Sequence, residues 1–169
     1  MEKNSCISIY PDSRFLEQAL RRLQWASIDL QQASVMGKGC HPRALPVGFC
    51  HIGERARFYG PASAFWERVW DLLTDAACVW VPGTGVLAAA GYIVPLMVRG
   101  LQRTEVSAGL SAPGAAMFGI GIPRHSIDEY EQAINAENYL LLVSGQCHEV
   151  ERACDLLHGG VQQVTVHKA

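Results

Sequence analysis

The side chains of this chain best suited to chemistry are its cysteines and histidines. Three Cys-His dipeptides occur, Cys40-His41, Cys50-His51 and Cys147-His148, and Cys154 and His158 stand four apart. Thiolate and imidazole are the natural ligands of zinc. Cys40, His41, Cys50 and His51 are the weak candidates for one such site. Adjacent Cys and His point apart in a strand, and no CxxC pair is present. Small buried thiols and loop histidines are therefore the expectation, with no metal and no cofactor. Glycines 83, 85, 119 and 121 lack the strand–GxGxxG–helix context, and no GK[ST] follows them, so a helix-hairpin turn and a helix terminus are expected instead of a phosphate cradle. No nucleophile elbow, HExxH or kinase set is present. No catalytic residue is assigned, and the chain is expected not to be an enzyme. Lys38, Arg43, Arg55 and Arg57 make residues 38–57 locally basic. A solvated loop or an intersubunit salt-bridge surface is the expectation there, and an anionic headgroup or nucleotide contact is the alternative.

The elements that must position these groups follow from composition and pattern. A length of 169 residues fits one domain. Charged residues are 18%, against about 25% in a typical soluble domain. With hydrophobic residues at 49%, little charge is left to cover a surface, which fits a subunit that hides part of it. A net charge of −2 argues against a nucleic-acid partner. The opening residues MEKN start no apolar signal region, so a cytoplasmic location with reduced thiols is expected.

Residues 5–10 alternate as a strand. Pro11-Asp12-Ser13 then opens a helix, with Asp12 or Ser13 as N-cap and Phe15, Leu16, Ala19, Leu20 and Leu23 on one face. Residues 32–36 read as a second strand. The last third repeats this β-α-β plan. Ser126 to Glu129 form a capping-box pattern before a helix with Ile127, Tyr130 and Ile134 on one face. A strand over 138–144, a helix over 148–158 ended by Gly159-Gly160, and a strand over 161–167 follow. Two such units predict an α+β fold: a ferredoxin-like, split β-α-β, four-stranded sheet with helices on one face. Residues 1–60 and 122–169 supply its halves, and residues 61–121 are an insert within the single domain. The entry, 47–59, reads as a short hairpin around Gly53.

Within the insert, residues 76–98 carry no charge over 23 positions, long enough to qualify as a membrane-span candidate. Pro82-Gly83-Thr84-Gly85 interrupts them. The expectation is an apolar, glycine- and alanine-rich helical hairpin, its helices running over about 62–81 and 86–101. Trp66, Trp70, Leu73, Ala77 and Trp80 would form one stripe on the first. A further helix over 105–120 would carry Ser107, Ser111, Ala115 and Gly119 at four-residue spacing, a small-residue ridge that permits close helix contact, with Pro113 kinking or dividing it.

The segments VGFCHIGERARFYG, FYGPASAFWERVWDLL, the PGTG turn, VPLMVRGL, GIGIPRHSIDEYEQAI and NYLLLVSG, in that order, resemble the bacterial general stress protein (heat-induced stress protein) type of domain over roughly residues 5–167. The resemblance implies a small stress-associated protein, an α+β domain enclosing a glycine- and alanine-rich hydrophobic helical segment, and no catalytic residues to carry over. Pro113 and the cysteines at 40, 50 and 147 depart from that pattern.

The function expected from all this is non-catalytic and structural: a stress-associated protein that self-assembles into a homo-oligomer or filament through its apolar insert. Trp66, Trp70, Trp80, Gly85, Ala89, Ile93, Met97, Ser107, Ser111, Ala115 and Gly119 would form the interface. The alternatives are anchoring of the hairpin at a membrane surface and a small-ligand-binding regulatory module.

Overall fold

Alternating side chains write the first strand, β1 (Asn4–Tyr10), and every residue of it except Ile9 is buried. Asp12 then takes an extended conformation, and its carboxylate accepts the Arg14 N–H at 2.8 Å, capping α1 (Ser13–Trp25). Leu16, Ala19, Leu20 and Leu23 form its buried face. Phe15, expected with them, is 53% exposed. A single 3-10 turn leads into β2 (Ala33–Lys38). The computed structural model describes residues 4–38, 63–73, 75–81, 83–102, 109–158 and 163–168. The expected hairpin around Gly53 lies outside the described residues.

The insert differs most from expectation. Helix α2 (Ser63–Leu72) stops early, and Ala76–Val81 is a strand, β3. It pairs antiparallel with β4 (Gly85–Gly91), Val81 opposite Gly85 across a three-residue loop. The PGTG motif therefore turns a β-hairpin and not a helical one. Gly83 and Gly85 at φ +80° and +90° supply left-handed backbone that such a loop requires. Helix α3 (Ile93–Gln102) begins only after Gly91. The run 76–98 is thus a strand pair followed by the start of one helix. Among the described residues no helix is long and apolar enough to cross a membrane. Ala76–Val81 and Leu87–Ala90 are short apolar runs, for which periodicity does not separate strand from helix.

Helix α4 (Ala112–Gly119) is shorter than expected, and Pro113 lies in its first turn, where no donor is needed, so it starts the helix and does not kink it. The helix α5 (Arg124–Asn135) begins two residues before the expected capping box, with Pro123 at its N-cap. The unit β5 (Tyr139–Gly145), α6 (Cys147–Leu157) and β6 (Gln163–His167) follows the expected plan closely.

Among the described residues the sheet has six strands in the order β3-β4-β2-β5-β1-β6, every pair antiparallel. Four strands were expected. Strand β5 lies between β1 and β2, and β1 lies between β5 and β6, so both β-α-β units are split by a strand of the other. Helices were expected on one face and cover both. On one side α1, α2 and α6 pack over Cys6, Tyr10, Val35, Cys78, Ala88, Ala90, Leu141 and Val143. On the other, α3, α4 and α5 pack over Ile7, Met36, Ala77, Leu87, Ala89, Leu140 and Leu142. The molecule is an α/β/α sandwich with two cores separated by one sheet.

Small residues let the layers close. Ala76, Ala77 and Cys78 pair with Ala90, Ala89 and Ala88, so both faces of the β3–β4 ribbon are low and flat. At the ribbon's end Gly91, at φ +95°, turns the chain into α3. A Cβ there would lie 2.3 Å from the Ala33 carbonyl oxygen. Beside it the Ser34 hydroxyl, on β2, accepts the Ile93 N–H at 3.0 Å and so caps α3 from a neighbouring strand. Gly91→Ala is expected to lower unfolding free energy in urea by about 2–4 kcal/mol, combining backbone strain with a backbone clash. Ser34→Ala should cost about 1 kcal/mol.

Candidate functional site

Four of the eleven expected interface residues are internal. Trp66, Ala89, Ile93 and Met97 are fully buried within the protomer. Trp66 forms an aromatic cluster with Phe65 and Tyr139, ring centroids 5.0–6.2 Å apart. The cluster stands on Gly37, where a Cβ would meet the Tyr139 ring at 2.7 Å. Sequence reasoning found Trp66 but not Gly37 or Tyr139, which come from different strands. The stripe itself is divided: Trp66, Trp70 and Leu73 follow one helical course, whereas Ala77 and Trp80 belong to β3. Ala77 faces the opposite core from Trp66. The Trp80 side chain and Ser107 lie outside the described residues. Ser111 is the N-cap of α4: its hydroxyl accepts the Gly114 N–H at 3.0 Å and donates to the Glu131 carboxylate. Trp70, Gly85 and Ala115 are partly exposed, and Gly119 is exposed. The structure therefore does not assemble these residues into one ridge.

The Cys40-His41 and Cys50-His51 dipeptides lie outside the described residues. Cys147 and His148 are exposed, and the Cys147 thiol lies 3.5 Å from the Glu151 carboxylate. Cys154 and His158 do meet, with Sγ 3.3 Å from the imidazole Nδ1, which also lies 2.8 Å from the Cys154 carbonyl oxygen. Among the described residues no three His, Cys, Asp or Glu side chains are placed to hold a metal ion.

The densest polar arrangement that sequence reasoning missed lies at one end of the sheet, under α4 and α5. Ser5 of β1 stands opposite Ser144 of β5 on one side and His167 of β6 on the other. All three are buried. The Ser5 hydroxyl donates to the Ile120 carbonyl at 2.8 Å, tying the end of α4 to the sheet. The Tyr130 hydroxyl, from α5, lies 2.6 Å from His167 Nε2, and the two rings meet edge to face at 5.8 Å. Burial pushes the Tyr130 phenol up to about 12, with the Thr165 hydroxyl pulling it back. Burial chiefly, and His125 next, hold the His167 imidazole below its usual range, while Glu129 acts in the other direction. Near neutral pH the phenol keeps its proton and donates to an unprotonated Nε2, which leaves the ring hydrogen on Nδ1. Next to this row Tyr92 lies beside Ser144, its phenol also raised by burial to about 12.

Chemically this row is a set of hydrogen-bonded clamps. Ser5 is engaged with Ile120 and His167 with Tyr130, which joins α4, α5 and the last strand. Residue spacing carried little sign of it, since Tyr130 and His167 are 37 positions apart and meet only through the strand order. No known protein family, curated protein or solved structure matches the chain.

Ala89→Leu should overfill the core beneath α3 and cost about 1–3 kcal/mol in denaturant unfolding, without changing native mass. Gly119→Ala meets nothing within 4 Å and should leave both unchanged or gain a few tenths of a kcal/mol. A second expectation concerns pH. The unfolded imidazole takes up its proton near 6.5 and the folded one at lower pH. Between those values the unfolded chain binds more protons, so this contribution is complete above 6.5 and is lost as pH falls through 6.5 towards the folded value. An NMR titration should place His167 below 6.5, and Tyr130→Phe should weaken the fold by about 1 kcal/mol.

Proposed function

We propose that the protein is a non-catalytic, stress-associated structural protein that self-associates in a cytoplasmic setting, and that its subunits join at the sheet edges and not through the buried apolar residues of the insert. Burial of Trp66, Ala89, Ile93 and Met97 inside the protomer moves the interface away from those residues. The observation that carries the reading is the sheet's two ends. Among the described residues β3 and β6 each pair on one side only, and β3 has the uncharged sequence AACVWV. An edge strand is a template on which a further strand can pair. Phe15 and Trp25 on α1 and Phe118 on α4, 53%, 80% and 56% exposed, add apolar surface elsewhere on the molecule.

We also propose that the outer strands form a ferredoxin-like core. Strands β2-β5-β1-β6 with α1 and α6 have the order and connectivity of a ferredoxin-like core. In that reading the insert extends the sheet by two strands and, together with α5, lays α3 and α4 over the face that such a core leaves free. The insert thereby does within one chain what a partner's face would do. This is the physical reason for looking to the edges.

Light scattering on detergent-free protein should return a mass several-fold above that of the 18.5 kDa chain, with discrete particles or filaments in negative stain. A sharp species of one chain's mass, unchanged at high protein concentration, overturns the proposal and moves attention to ligands of the polar row at Ser5, Ser144 and His167.

A further inference from the structure

Helix α1 carries both an exposed knob and one wall of a hole. Trp25, its last residue, is 80% exposed, more than any other large apolar side chain among the described residues. The helix end that bears it is fixed, because Arg152 of α6 donates to the carbonyl of the next residue, Ala26, at 2.6 Å. Leu16, Ala19, Leu20 and Leu23 occupy the inner face of α1. Trp25 stands with exposed Gln18 and Arg21 on the outer ridge, at helical spacing.

Beside that ridge lies a groove of about 250 Å³, bordered by Glu17, Arg21 and Gln24 of α1 and by Arg68, Val69 and Leu72 of α2. Val69 and Leu72 supply its apolar lining. The Glu17 carboxylate accepts the Arg68 Nε–H at 3.1 Å and a terminal N–H at 2.5 Å, which holds the planar guanidinium at the groove's border. A flat cation next to apolar lining favours the face of an aromatic ring, an indole above all. Size agrees with this. An apolar cavity of about 150 Å³ takes one benzene ring, and about 250 Å³ has room for the two fused rings of an indole.

We propose that the groove between α1 and α2 receives Trp25 of a second copy of this chain. The ring that suits the groove is displayed on the same helix, which makes a second copy the occupant. Because knob and hole share α1, a two-fold axis that seats one Trp25 seats the other as well, and the pair closes. Trp and Arg are the side chains that most often dominate contacts of this kind. Each indole takes about 150–250 Å² out of water, well under the roughly 800 Å² per partner of a standard interface. The contact by itself is therefore weak and depends on concentration. It rests on the self-association proposed above and adds a second contact beside pairing at the sheet edges. A chain whose edge and helical face both recognise copies of itself can build past a pair.

The test is light scattering on the full-length protein across a dilution series, for wild type, Trp25→Ala and Arg68→Glu. Both variants change exposed side chains, and circular dichroism checks that they fold. Trp25→Ala removes the knob, and Arg68→Glu replaces the guanidinium of the hole with a charge that repels Glu17. Each should raise the concentration needed for wild-type mass by about tenfold or more. Mixing the two variants should give a mass above that of either alone, because one still offers Trp25 and the other still offers an intact groove. Both variants at wild-type mass overturn the inference and leave edge pairing standing. A loss in Trp25→Ala alone, or a mixture no heavier than its parts, also overturns it. A wild type of one chain's mass at every concentration overturns the inference and the edge-pairing proposal together.

Discussion

A single sheet with apolar groups on both faces is the constraint on which this structure depends. Each strand feeds two cores at once, because successive side chains point to opposite sides. In β1, Cys6 and Tyr10 go under α1 and α6, while Ile7 goes under the opposite helices. In β5, Leu141 and Val143 go one way, and Leu140 and Leu142 go the other. A one-residue slip at β5 would exchange these sets between two layers of different shape. The register is thus held from both sides, more firmly than in a sheet with one wet face.

The flat alanine ribbon of β3 and β4 follows from the same constraint. A strand covered on both sides by helices near the sheet's end has little room for large side chains, and alanine fills it without voids. The local preference of alanine for helix is overridden by tertiary packing. That override also explains why the insert was hard to read from sequence. Leu87 to Ala90 matches helix or strand equally well, and Trp66, Trp70, Leu73, Ala77 and Trp80 align on a helical wheel by coincidence across two elements. The outer units were legible because their patterns were unambiguous: period two in SCISIY, and Leu16, Ala19, Leu20 and Leu23 after a capping aspartate. What they could not disclose was the second layer of helices, since nothing within them states what covers Ile7 or Leu142.

The polar groups show a different kind of illegibility. In β6, Val164 and Val166 pack against the core under α1 and α6, which leaves Thr165 and His167 on the other face. A polar residue on a strand's second face is ordinarily taken as wet. Here Tyr130 covers it, and only the position of β6 beside β1 reveals that. Sequence spacing did carry the Cys154–His158 contact, which spans a single turn of helix.

The interleaving of the two split units has a consequence for how the chain comes into being. Strand β5 is the hydrogen-bonding partner of both β1 and β2, yet it lies more than a hundred residues after them. While the protein is being synthesised, the first two strands remain without their central neighbour until residue 145 has left the ribosome. The alanine ribbon, with only β2 beside it, would wait with them. Such a nascent chain carries apolar strands whose backbone groups are unsatisfied for most of translation, the state in which intermolecular pairing competes with folding. Protection of that interval falls to whatever shields the growing chain, and the closing segment, not the opening one, sets when the danger ends.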